Sequence, residues 1–247
     1  MQRRRSPARR WLATLLGLVL VGTAWLPGAE AAPLSPTSPR SADVTAYQAS
    51  PNDDVLLADD LADPARGTLE QSPPDDTSYF TGYRDGGYVI QLLKPQTGAT
   101  GFLVDLPVNE RNSTISIDAQ LVGTVDDRMI VVGCRNTGDS IGRTYYAAYV
   151  EPAHGRYYVA ERNRTFKTLV EWTTSPLIKR GNETNTIQLT CLSNVITVFI
   201  NGEFANTLQN DDLPAGNPFI GVGTSNSVVE ESAARFNNLV VSYVSVH

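Results

Sequence analysis

The sequence predicts an all-β protein, a β-sandwich or jelly roll made of two facing antiparallel sheets. Three observations predict it: strand-like runs recur at intervals of roughly 8 to 12 residues, turn-forming residues separate them, and no window after the N-terminal region has helical periodicity. A chain of 247 residues is long enough for one such domain and an N-terminal extension.

The clearest strands lie in residues 184–208. Ile187 and Leu189 alternate with polar residues, and this period of two is typical of a strand with one buried face. Val195–Ile200 is a continuous β-branched and aromatic run that ends at Asn201-Gly202, the residue pair preferred in type I′ hairpin turns. The segment therefore predicts three consecutive antiparallel strands.

The other strands are predicted from the same patterns. Ser113–Val122 alternates regularly, with four apolar side chains on one face and polar side chains on the other. The further predicted strands are residues 101–106, 128–135, 143–151, 156–161, 165–172, 218–224 and 233–244.

The spacing N-x-I-x-L-x-C-x-x-N-x-I-x-V-F-I-N-G-E in residues 185–203 resembles the late strands of the LamG-like and concanavalin A-like lectin-glucanase jelly rolls. It is similar in particular to bacterial extracytoplasmic modules related to the 3-keto-disaccharide hydrolase domain. Asp59-Asp60-Leu61 and Asp85-Gly86-Gly87-Tyr88 stand where that superfamily has D-D-F and D-G-x-Y. The resemblance covers most of residues 55–244 and implies a concanavalin-like jelly roll.

Residues 1–32 have the pattern of an export signal, with a basic start, an apolar run and the cleavage site Ala29-Glu30-Ala31. Residues 33–52 are rich in Pro, Ser, Thr and Ala and predict a disordered linker. The folded domain is therefore predicted to be residues 53–247. We expect an extracytoplasmic, secreted protein; the alternative is a single-pass protein anchored to the membrane by an uncleaved N-terminal segment.

The charge of the chain excludes one class of partner. The formal net charge is −6, and residues 1–31 contain five arginines and one glutamate, so the chain without its signal carries −10. An acidic surface repels phosphate backbones, and no run of more than two basic residues follows the signal. We therefore expect no nucleic-acid partner.

The sequence has two cysteines, Cys134 and Cys191. Both lie in predicted strands of a protein predicted to be exported, and disulfides persist outside the cytoplasm. We expect a disulfide between them; two buried free thiols are the alternative. The modules that the sequence resembles often carry cysteines at these two places.

No catalytic motif is evident. Glucanases of this fold usually carry E-x-D-x-x-E on one strand, and that motif does not occur here. The adjacent acids Asp53-Asp54, Asp126-Asp127 and Glu230-Glu231 fall in predicted turns, and the two histidines are His154 and the C-terminal His247. We therefore assign no catalytic residue, because the sequence lacks the histidines that a Ser-His-Asp triad or a multi-histidine metal site would need.

A ligand-binding face is predicted from tyrosines on two neighbouring strands. By alternation, Tyr145 and Tyr149 point away from the core, and Tyr158 of the next strand joins them. Flat tyrosine rings stack against sugar rings while their hydroxyls form hydrogen bonds. Arg135 and Arg143 would add donors. The alternative is that tyrosine simply suits a strand.

Trp172 is the single tryptophan after the export signal. We expect it in the core, packed with Leu169 beside an irregular crossover at residues 174–178. Trp172 is therefore not included in the predicted ligand-binding face.

No cofactor is predicted, and a structural calcium ion is the one addition considered, because calcium often stabilises jelly rolls. It would bind near Asp59, Asp60 and the C-terminal strand. The related modules tend to have an aspartate in an F-D-N-F motif, where this sequence has Phe236-Asn237-Asn238-Leu239. An amide lacks the charge that a hard cation favours, so no metal ligand is assigned.

The leading functional prediction is an exported, non-catalytic module that recognises a carbohydrate or a cell-surface partner. The alternative, which the resemblance implies, is a glycoside hydrolase or lyase related to the 3-keto-disaccharide hydrolases. A third possibility is an ectodomain that its linker holds away from a membrane.

Overall fold

The computed structural model describes residues 54–138, 142–210, 213–228 and 230–245. The predicted export signal and linker lie outside these described residues. Within them, no helix is long and apolar enough to cross a membrane.

The regular secondary structure of the described residues consists of strands, as the sequence predicts, apart from one 3-10 turn at Pro64–Arg66. The strands are β1 (Asp54–Asp59), β2 (Tyr79–Arg84), β3 (Gly87–Leu92), β4 (Thr100–Asp105), β5 (Ser113–Val122), β6 (Arg128–Thr137), β7 (Thr144–Glu151), β8 (Arg156–Asn163), β9 (Thr165–Thr174), β10 (Asn185–Leu192), β11 (Val195–Ile200), β12 (Glu203–Gln209), β13 (Asn217–Thr224) and β14 (Ser232–Tyr243).

The strands form two antiparallel sheets that face each other as a sandwich. The eight-stranded sheet has the order β12-β11-β10-β5-β14-β3-β2, with β1 paired to β14 as well. β14 pairs with both β3 and β1 because residues 232–236 lie beside β3 and residues 239–243 lie beside β1. The six-stranded sheet has the order β4-β13-β6-β7-β8-β9. The predicted all-β sandwich is confirmed.

The core lies between the sheets and follows the alternation of the strands. In β5, Ile115, Ile117, Ala119 and Leu121 are at most 1% exposed, while the intervening residues face outward. Each fully buried aliphatic side chain of this kind contributes roughly 1.5–3 kcal/mol. The predicted inner face of β5 is therefore confirmed residue by residue.

The predicted meander is β10, β11 and β12, and its second turn has the geometry that its sequence predicts. Asn201 and Gly202 have φ values of 54° and 82°, the left-handed conformation that a type I′ turn requires at both central residues. The Asn201 side chain also accepts a hydrogen bond from Thr186 N (2.9 Å) and donates one to the carbonyl of Leu177 (2.7 Å). The turn is thus tied to the segment that precedes β10.

A disulfide joins Cys134 in β6 to Cys191 in β10, as predicted. β6 belongs to the six-stranded sheet and β10 to the eight-stranded sheet, and both cysteines are fully buried in the core. The bond therefore links the two layers of the sandwich covalently.

Candidate functional site

The outer face of the six-stranded sheet carries the predicted tyrosines. In β7, Tyr146 lies in the core between the sheets, whereas Tyr145 and Tyr149 belong to a second apolar cluster on the opposite side. Tyr158 in β8 is the direct cross-strand partner of Tyr149 and packs against the same cluster. The three tyrosines therefore share one face, as alternation predicts.

This face forms a groove of about 550 Å³. One part of its lining comes from β4, β6, β13 and the residue before β4: residues 99–103, Met129, Val131 and Thr224. The other part is aromatic and basic and comes from β7, β8, β9 and the residue before β7: Arg143, Tyr145, Tyr149, Tyr158, Arg162 and Phe166. No aspartate or glutamate is among the described residues that line the groove.

An aromatic platform extends from the groove towards the edge of the sheet. It consists of Tyr149, Tyr158, Phe166 and Trp172. The rings of Tyr149 and Tyr158 stack in parallel with centroids 4.4 Å apart, and Phe166 meets both rings edge-on at 6.0 and 6.2 Å. Trp172 meets Tyr158 edge-on at 4.5 Å. Each ring of the platform therefore contacts at least one other ring, in the offset-stacked and edge-to-face arrangements that aromatic pairs favour.

The sequence predicts tyrosine rings that are exposed for stacking, and the structure differs from this prediction. Tyr145 and Tyr149 are only 6% and 7% exposed, and the hydrogen bond between their hydroxyls is buried, so neither offers an open ring face. The accessible rings are Phe166 and Trp172, at 51% and 39% exposure. Stacking against a flat ligand is therefore available mainly on β9.

The structure corrects the predicted place of Trp172, which is not a core residue. β9 is the edge strand of its sheet, and Trp172 lies on the outer face of that strand beside Tyr158. The Arg156 guanidinium lies 4.1 Å from the centre of the indole ring. Leu169, its expected partner, is partly buried and packs against the core on the other side.

The hydroxyls of Tyr145 and Tyr149 are hydrogen-bonded to each other at 3.1 Å. Burial, followed by the neighbouring Tyr145 and Tyr158 hydroxyls, raises the pKa of Tyr149 well above its ordinary value. Burial also raises the pKa of Tyr158. Both phenols are therefore neutral at physiological pH and act as hydrogen-bonding groups rather than as bases.

Two arginines lie at one end of the groove, which we call the basic end. Arg143 stands two residues before Tyr145, and Arg162 is the direct cross-strand partner of Tyr145. One guanidinium nitrogen of Arg143 is 3.7 Å from an Asp105 carboxylate oxygen. Arg143 was predicted from the sequence; Arg162 was not, although the alternation of β8 from Tyr158 leads directly to it.

Arg135 does not reach the groove, and this corrects its predicted place. Strict alternation along β6 would point its side chain outward, but a β-bulge follows Cys134 and Arg135 has φ of +56°. The side chain is completely buried and donates hydrogen bonds to the carbonyls of Arg111 (3.1 Å), Leu213 (3.3 Å) and Ser193 (2.5 Å). Arg135 therefore fastens three loops inside the protein.

The nearest buried carboxylate on the outer face is engaged by the protein itself. Glu151 is fully buried, pairs with Arg156, lies 3.2 Å from His154 Nδ1 and accepts a hydrogen bond from Ser225 (2.7 Å). Glu161 accepts a hydrogen bond from Asn210 (3.1 Å). Neither carboxylate lines the groove.

The place considered for calcium is closed by side-chain amides. The Asn237 amide donates to the carbonyl of Gly86 at 2.7 Å, and the Asn238 amide donates to Asp118 at 2.8 Å. Asp59 accepts hydrogen bonds from Leu61 N (2.8 Å) and the Thr68 hydroxyl (2.5 Å). Among the described residues, no three His, Cys, Asp or Glu side chains cluster as a metal site would require.

Comparison with solved structures identifies the architecture. A Bacillus subtilis protein of unknown function with a galectin-like fold superposes with a TM-score of 0.55 and 11% identity, over 77% of this chain and 96% of that one. A Bacillus licheniformis β-glucanase gives 0.54 and 8% identity, over 78% and 100%. The chain has a concanavalin-like jelly-roll fold.

A third jelly roll is a carbohydrate-binding module of family 66 from Bacillus subtilis, with a TM-score of 0.51 and 13% identity over 68% of this chain and 97% of the module. At these identities the likeness concerns the fold alone, because one fold carries many functions. No protein-family model and no curated protein sequence matches the chain.

Proposed function

We propose that this chain is an extracytoplasmic carbohydrate-binding module whose binding site is the groove on the six-stranded sheet. The observation that carries the proposal is the aromatic platform: four packed rings, two of them accessible, beside a groove lined by three tyrosines and two arginines. Sugar rings pack on such faces while their hydroxyls bond to adjacent polar groups.

Two further observations support the proposal. One solved structure that shares the fold is named as a carbohydrate-binding module and another as a β-glucanase. The Cys134–Cys191 disulfide agrees with a location outside the cytoplasm, where such bonds persist. A polysaccharide or another glycan at a cell surface is the partner that we propose.

Binding is favoured over hydrolysis by the charge of the groove. Hydrolysis of a glycosidic bond generally requires two carboxyl groups about 5 to 10 Å apart across the bond. The described residues that line the groove include none. No particular contact favours the hydrolase alternative, so binding is the single function proposed.

The proposal is tested on a glycan array followed by calorimetry with the best ligand. Trp172→Ala and Phe166→Ala remove the two accessible rings, and each is expected to raise the Kd about tenfold, since an aromatic contact contributes roughly 0.5–1.5 kcal/mol beyond its buried area. Both side chains are partly exposed but also contact Tyr158, so each change should cost some stability, and binding is compared at a temperature at which every variant is folded.

The matched control is Phe204→Ala, which removes an equally exposed phenylalanine on the eight-stranded sheet. Its Kd should equal that of the wild type. Equal affinity for the wild type, Trp172→Ala and Phe166→Ala would show that the ligand does not bind at this groove.

A further inference from the structure

The positive charge of the two arginines at the basic end is only partly compensated by acidic side chains of the described residues. Arg162 is half-buried, and no acidic side chain among the described residues forms an ion pair with it. Its positive charge acts on the Tyr149 phenol, because it opposes the rise of the Tyr149 pKa. Its guanidinium group therefore lies near the tyrosine hydroxyls and has no described counter-charge.

Arg143 is only partly neutralised. Its contact with Asp105 spans 3.7 Å, and the Asp105 carboxylate also accepts a hydrogen bond from the Asn136 amide. The Arg143 Nε atom is buried and has no hydrogen-bond partner among the described residues. A buried donor without a partner is destabilising, so the Arg143 guanidinium is not fully satisfied by the described protein groups.

The charge of the whole chain makes this pair unusual. The formal net charge is −6, yet the described lining of the groove has two arginines and no acid. A groove with low-dielectric walls concentrates the field of such charges. Guanidinium groups also match the planar geometry of carboxylate and sulfate, to which they donate paired hydrogen bonds.

We propose that the ligand is an acidic saccharide, whose carboxylate or sulfate group binds between Arg143 and Arg162 while a sugar ring packs on the aromatic platform. This inference rests on the proposed function and narrows it. The arginines and the aromatic rings lie on neighbouring strands, so one ligand would place its charged group at the basic end and its sugar ring on the platform. Neutral polymers of the same backbone would pack on the platform but would leave Arg162 without an anionic partner and Arg143 with Asp105 alone.

The test compares acidic polymers with neutral counterparts on the full chain. Polygalacturonate is paired with its methyl-esterified form and dextran sulfate with dextran; alginate and hyaluronan add further uronates, and xylan and levan add further neutral polymers. We expect binding at least about tenfold tighter for the acidic member of one pair or for a uronate, since charge-assisted hydrogen bonds outweigh neutral ones. The pair that responds distinguishes carboxylate from sulfate.

Variants test the role of the basic end. Arg162→Gln should reduce acidic-polymer binding about tenfold or more and abolish the preference over the neutral counterpart, whereas Arg162→Lys should retain part of it. Arg66→Gln, a change of the same charge at an exposed position outside the groove, should bind as the wild type does. Raising the salt from about 50 mM to about 500 mM should weaken wild-type binding more than Arg162→Gln binding.

The outcomes separate this inference from the proposed function. Binding of neutral polymers that depends on Trp172 and is unaffected by Arg162→Gln would overturn the acidic ligand and leave the carbohydrate site intact. Equal loss of acidic binding in Arg66→Gln and Arg162→Gln would reduce the effect to net charge and also overturn it. Binding of no polymer in either set would overturn both.

Discussion

Removal of the disulfide is predicted to lower the free energy of unfolding by about 4 kcal/mol. Cys134 and Cys191 are 57 residues apart in sequence, and closing a loop of that length reduces the entropy of the unfolded chain by an amount equivalent to about 4 kcal/mol at 25 °C. The loop contains β7, β8 and β9, three of the strands that carry the groove.

The assay is urea unfolding followed by tryptophan fluorescence. The double variant Cys134→Ala/Cys191→Ala is compared with the wild type in the presence and absence of a reductant, and alanine is used because both sites are fully buried and a serine hydroxyl would lack a partner. Reduced wild type should approach the double variant, and the reductant should not affect the double variant. A loss below about 1 kcal/mol in the double variant would refute the loop-closure reasoning.

Three further predictions concern packing, turns and ionisation. Gly133→Ala should destabilise the fold by roughly 1–3 kcal/mol, because an added Cβ would lie 2.0 Å from the Phe219 ring; thermal unfolding measures it. Gly202→Ala, at φ of +82°, should cost about 1 kcal/mol in the same assay without affecting the groove. Burial in the folded protein raises the pKa values of Tyr149 and Tyr158. The stabilisation is therefore present below the ordinary tyrosine pKa of about 10 and should decline as the pH rises through the raised values. Phenolate absorbance and unfolding at alkaline pH measure this decline.

The elements of the fold were predictable because their signals are local. A period of two identifies β5 to the residue, and Asn201-Gly202 identifies the hairpin turn. The neighbours of each strand were not predictable in this way. β5 lies between β10 and β14, and β6 lies between β13 and β7, and these pairings depend on packing between residues far apart in sequence.

The site shows the same division between local and distant determinants. Tyr145 and Tyr149 share a face because alternation within β7 requires it. Arg135 is turned inward by a bulge that nothing in the residue pattern signals. Trp172 lies on the outer face of β9 beside Tyr158, and the register of β9 on β8 shifts twice, so the face of each residue could not be read from β9 alone.

The ionisation of the groove gives a separate reason to expect binding without cleavage. A base that removes a proton from a sugar must be deprotonated at the working pH, and an acid that protonates a leaving group needs a pKa near that pH. Burial moves Tyr149 and Tyr158 away from both requirements, since it raises their pKa values above the ordinary value. We therefore expect these groups to bind a ligand rather than to exchange protons with it.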